Sequence, residues 1–177
     1  MSDFQHPKQG SDGVVSIASC DNTGLQVEAQ FNPKELQIDK TVPWQKKSQA
    51  NKSGDTGIQL EFTGADGRSM TLELLFDGYE NNVDVSGKVD KLNQMASVLE
   101  PNSADETRRR PHLCVVKWGA TVPKFTCVIE SLSTKYTMFS DQGVPLRATC
   151  TVKLKEADTV TGKSSSSSGG TTGGTSS

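Results

Sequence analysis

The stretch "VPLRATCTVKLKE", residues 144–156, decides the fold. Val144, Leu146, Ala148, Cys150, Val152 and Leu154 alternate with Pro145, Arg147, Thr149, Thr151, Lys153 and Lys155. A period of two held this long means a strand with one dry face and one wet face. Such a strand needs a sheet around it and a core on one side only. The expectation is that Leu146, Cys150, Val152 and Leu154 face that core and that the strand closes a barrel.

Upstream, the same logic yields further strands. Residues 14–18 and 25–31 are short β-type runs separated by the turn cluster "SCDNTG". Pro33 breaks the second run, because its ring fixes φ and restricts Asn32 before it. Leu36, Ile38, Val42 and Trp44 restart the alternation, and residues 45–56 read as an exposed loop. Ile58, Leu60 and Phe62, then Met70, Leu72, Leu74 and Phe76, keep one phase on either side of "GADGRS"; only Leu75 is off phase. With Gly64 and Asp66-Gly67 to supply positive-φ positions, these two runs are expected to pair as a hairpin. Beyond Phe76 the period changes. Val85, Val89, Leu92, Ala96 and Leu99 form a helical stripe, with Asp84 or Ser86 as cap and Pro101 as stop. Cys114, Val116 and Trp118 share a strand face. Phe125, Cys127 and Ile129 form its hairpin mate, and residues 136–139 a further short strand. The fold class is therefore mainly β, an antiparallel sandwich or barrel with one flanking α-helix.

The chain has 177 residues and a net charge of −2. That suffices for one domain with a core and gives no bulk electrostatic case for nucleic acid. Residues 1–12 read as a flexible extension, 13–158 as the β domain, and 159–177 as a disordered Ser/Gly/Thr-rich tail. No apolar run approaches a membrane span and the N-terminus lacks a signal-peptide core, so cytoplasmic synthesis and no direct membrane insertion are expected. Cys20, Cys114, Cys127 and Cys150 contain no CxxC pair and read as reduced thiols, mostly buried; no metal site or cofactor is expected.

Little here points to catalysis. His6 lies in the loose terminus, and His112 reads as a half-exposed structural histidine rather than a general base. GxSxG and phosphate-loop patterns are absent, so no catalytic residue is assigned and an enzyme is not expected. Arg108, Arg109 and Arg110 read first as a solvated loop helped by Asp105 and Glu106, and second as a partner contact. Trp44 and Trp118 read as core or interface anchors.

In order and spacing, Phe31-Asn32-Pro33, the strand ending in Trp44, "LELLFDGY", the single helix, "RRPHLCVVKWG" and the long C-terminal stretch from Phe125 resemble a known family. They are similar to the N-terminal, phage tail-tube-like domain of tube and baseplate proteins of contractile injection systems. The resemblance covers residues 25–157. It implies a homohexameric ring that adapts the inner tube to the spike-bearing hub and baseplate of a phage-tail-like particle. That particle would be assembled in the cytoplasm, then released or anchored. A repeated inner-tube subunit is the alternative; a free-standing glycan-binding β-barrel is a more distant one. Members with this pattern usually continue into a LysM domain, where this sequence has only "GKSSSSSGGTTGGTSS", so peptidoglycan binding is not carried over. On this reading Arg108, Arg109, Arg110, Arg147, Thr149 and Lys153 are candidate interface or lumen positions, with Thr151, Lys46, Lys47 and Lys135 beside them. Reversing charge at Arg147 and Lys153 together is expected to spare folding.

Overall fold

The computed structural model describes residues 13–46, 58–64 and 66–160. The terminal segments 1–12 and 161–177, and Lys47, lie outside them. In chain order the described elements are β1 (Ser16–Ser19), β2 (Gln26–Glu28), β3 (Gln37–Asp39), β4 (Trp44–Lys46), β5 (Leu60–Phe62), β6 (Ser69–Asp77), α1 (Ser86–Ala96), a 3-10 turn (Glu106–Arg108), β7 (Cys114–Trp118), β8 (Val122–Phe139) and β9 (Pro145–Glu156).

The alternation in β9 becomes the centre of the molecule. Leu146, Ala148, Cys150, Val152 and Leu154 are all buried, as expected from their phase. Directly opposite them on β6 stand Phe76, Leu74, Leu72 and Met70, in the pairs Phe76–Ala148, Leu74–Cys150, Leu72–Val152 and Met70–Leu154. Cross-strand apolar pairs of this kind are the unit of sheet stabilisation. β8 flanks β9 on its other side, and the full order is β2-β1-β7-β8-β9-β6-β3, antiparallel throughout. The mainly β class with one flanking helix holds, and the sheet is a half-barrel. β9 does not close it. It is an interior strand, flanked by long neighbours on both edges.

The apolar side of the sheet is covered by α1, which buries Val89, Leu92 and Met95 against it. The N-cap position is held by Val85, which offers no side-chain cap; Asp84 Oδ1, one residue earlier, accepts the Ser86 N–H at 2.7 Å, one of the free donors of the first turn. The helix ends at Ala96, short of the expected Leu99, because the chain there turns to another partner. Val98 bridges Pro111, and the Leu99 N–H donates to the Arg110 carbonyl at 2.7 Å.

Three other expectations are corrected. β5 does not pair with β6: it pairs with β4 in a separate two-stranded ribbon, Trp44 opposite Phe62 and Lys46 opposite Leu60. β6 is already occupied on both edges, by β9 and β3, and Gly64, though at φ +148°, serves a longer connection. Gln45 and Lys46 thus belong to a strand, not to a loop. Finally, residues 122–139 form one strand of 18 residues, not two. Glu130 is an extra residue between the pairs Ile129–Leu154 and Ser131–Lys153, a bulge that shifts the phase by one.

His112 is buried, contrary to the expected half exposure. Ser19 Oγ accepts the backbone N–H groups of Asp21 and Asn22, which leaves its own hydrogen for His112 Nδ1, 2.8 Å away. Asp21 accepts both Arg110 Nη groups at 2.9 Å and the Leu113 N–H at 2.8 Å. Burial pushes the imidazole below its ordinary 6.5; Asp21 opposes this and Arg110 reinforces it. The unfolded chain therefore takes the proton more readily. This contribution to stability is complete above about pH 6.5 and falls as the pH drops from there toward the lowered folded value. Asp21 and Glu156, held below their usual values by Arg110 and Arg68 (Glu156 at about 2), lose their contributions only at more acidic pH. Urea midpoints between pH 7 and 5 should fall for the parent chain and fall less for His112→Asn. Equal slopes refute the assignment.

Candidate assembly surface

The wet face of β9 continues across its neighbours in register. Arg147 lies between Asp77 and Met138, Thr149 between Leu75 and Lys135, Thr151 between Glu73 and Ser133, and Lys153 between Thr71 and Ser131. The expected positions Arg147, Thr149 and Lys153 do share this face. They are not equally available. Arg147 is tied to Asp77 Oδ2, by Nη2 at 2.5 Å and Nε at 3.0 Å. Arg147 and the Tyr79 N–H hold the Asp77 carboxyl below the usual carboxylate range. Gln30 locks the same strand end, donating to the Asp77 carbonyl at 2.7 Å and accepting its N–H at 2.8 Å. Reversing charge at Arg147 therefore places two anions together, and the expectation that this change spares folding is withdrawn. Lys153 is exposed with no such partner described, and it tests the face alone.

The arginine run lies elsewhere. Arg110 is engaged by Asp21, Arg108 by Glu100 at 2.8 Å and Arg109 by Glu106 at 2.9 Å. The last two pairs are exposed and contribute little to stability. Arg108 and Arg109 are thus partnered within their own loop region and Arg110 by the β1–β2 turn, and none is joined to the β9 face by a described contact.

The Phe31-Asn32-Pro33 motif has a structural explanation. Asn32 accepts the Val15 N–H at 3.0 Å and donates to the Gly13 carbonyl at 2.7 Å, pinning the entry to β1. Phe31, left exposed, and Pro33 line a groove of about 480 Å³ whose other wall is Glu73, Leu75 and Thr149 on the polar face. Trp118 is half-buried and packs on the core, as expected, whereas Trp44 is exposed. The core reading of Trp44 is thereby corrected.

Two features of this surface were not anticipated. One is the ribbon β4–β5, whose alternation predicts a buried face but which exposes Ile58, Leu60, Phe62 and Trp44 by 75%, 56%, 52% and 56%. The other is an open strand edge. β7 pairs β8 only as far as Cys127, and among the described residues no strand pairs the same edge over residues 128–139. Unpaired edge N–H and C=O groups are a template for another strand.

No described helix is long and apolar enough to cross a membrane. The model of the family described as contractile injection system tube protein matches residues 15–165. No curated protein matches the chain.

Proposed function

The chain belongs to the contractile injection system tube protein family and has a structural role in that phage-tail-like machine; from this premise we propose that six copies form a ring adapting the inner tube to the baseplate and spike. The observation that carries the ring is the open edge of β8 along residues 128–139, beside a polar sheet face. A strand from a neighbouring copy satisfies that edge and continues the sheet from subunit to subunit, and repetition around an axis closes it. Lys135, Thr149, Thr151 and Lys153 then face a water-filled channel or the adjoining copy. Arg108, Arg109 and Arg110 are reserved for contacts outside it. The junction position is supported by the segments on either side of the matched region, 1–14 and 166–177, which every level of a narrow tube would have to house. The alternative, a repeated inner-tube subunit, is favoured by the family's own description.

Copy number separates the two. Quantitative mass spectrometry of purified particles should give about six copies for the adaptor, and many times that for the tube subunit. Native mass spectrometry of the chain with its tube and hub partners should show a hexamer. A strict monomer that never co-purifies with particle components refutes the ring. Lys153→Glu should leave the urea midpoint unchanged and weaken assembly; unchanged assembly returns this face to plain solvent.

A further inference from the structure

The ribbon and the groove described above explain each other. In the ribbon, Trp44 stands opposite Phe62 and Lys46 opposite Leu60, so period two puts these four on one face and Gln45 and Glu61 on the other. The Trp44 and Phe62 rings meet edge to face with centroids 5.6 Å apart. This is an ordered apolar face with nothing described above it. A two-stranded ribbon is marginal in water unless something packs against it, and a contiguous apolar patch marks a contact site.

The groove has complementary chemistry. Phe31, Pro33 and Leu75 supply apolar walls, and Glu35 and Glu73 place carboxylates beside them. Lys46, a cation on the ribbon's apolar face, matches those acids. We infer that the ribbon of one copy seats in this groove of a second copy, with Trp44 and Phe62 against Phe31, Pro33 and Leu75, and Lys46 against Glu73. The two patches differ, so the contact repeated in one direction closes a ring or stacks copies head to tail, whereas exchanged between two copies it gives a two-fold dimer. The inference rests on the reading that copies of this chain assemble, and adds which surfaces meet.

The test uses the full chain with a benzophenone amino acid in place of Phe62. Isotope-labelled and unlabelled chains are mixed, assembled and irradiated. The expected product is a label-mixed cross-link from the ribbon to a peptide containing residues 31–35 or 73–75. Cross-links confined to one chain, to other peptides, or to a different protein overturn the inference. A charge exchange gives a second readout. Glu73→Lys should weaken self-association at least about tenfold, and adding Lys46→Glu to the same chain should restore it. Failure of the double change to restore assembly overturns the pairing. If the hexamer persists unaltered through every one of these changes, this contact falls and the ring stands. If the parent chain forms no oligomer, the ring itself falls and this contact with it.

Discussion

Phe76→Ala should destabilise the domain by about 3–5 kcal/mol, the largest loss expected of any single truncation here. Phe76 is fully buried on β6, opposite Ala148, and the Lys88 ammonium lies 5.1 Å from its ring centroid beneath α1. Removing the ring empties the space between sheet and helix, where neither a strand held in register by β9 along its whole length nor the helix can collapse inward. Urea unfolding, followed by the fluorescence of half-buried Trp118, measures the loss. Phe62→Ala is the informative comparison: the same residue type, half exposed on the ribbon, should cost the unassembled chain less than about 1 kcal/mol. Similar losses at the two sites would mean that the ribbon packs on the domain and is not free to meet a partner.

Gly78→Ala should cost about 3 kcal/mol or more, through the backbone and not the core. A Cβ at residue 78 would lie 2.1 Å from the Val83 carbonyl oxygen and 3.0 Å from its carbon. The loop cannot yield easily. The Gly78 N–H donates to the Leu146 carbonyl at 2.8 Å, the Val83 N–H returns to the Gly78 carbonyl at 2.9 Å, and Asn82 already sits at φ +50°. Three residues beyond Val83 the helix begins, so displacing this loop shifts α1 off the sheet. Gly87→Ala is the control. It lies in α1 with open space around its Cβ position, and should stabilise by up to about 1 kcal/mol. Equal tolerance of alanine at both positions would refute the backbone argument.

Periodicity reports which face of a segment is apolar, and in the long strands of the sheet that face is the buried one. It placed β9 and β6 with their buried phase correct and found the helix, though the cap position falls to Val85 between the expected Asp84 and Ser86. It also put Arg147, Thr149 and Lys153 on one side of the sheet. Periodicity does not report partners. β5 carries the alternation of a core strand, and nothing local distinguishes pairing with β6 from pairing with β4 at a greater sequence distance. Nor does it survive a bulge. Core-facing apolar residues in β8 fall at 125, 127 and 129, then at 132, and the one-residue slip at Glu130 reads in sequence as a strand break. The arginine run was legible as charge but not as engagement, since the acid that holds Arg110 lies 89 residues away. The ribbon was hidden for a different reason: its hydrophobic residues follow the rule for a buried face, and among the described residues nothing covers that face.

The length of β8 has a mechanical consequence. Eighteen residues of extended chain span roughly 60 Å, longer than any other strand described. β8 is laced to β9, and β9 to β6, through eleven and nine Cα pairs. Tension along these strands loads many hydrogen bonds in parallel, and all must yield together. A pull across the sheet opens the same ladders one bond at a time. The domain is thus stiff along one direction and weak across it, and the strong direction is set by the strand from which its fold is read.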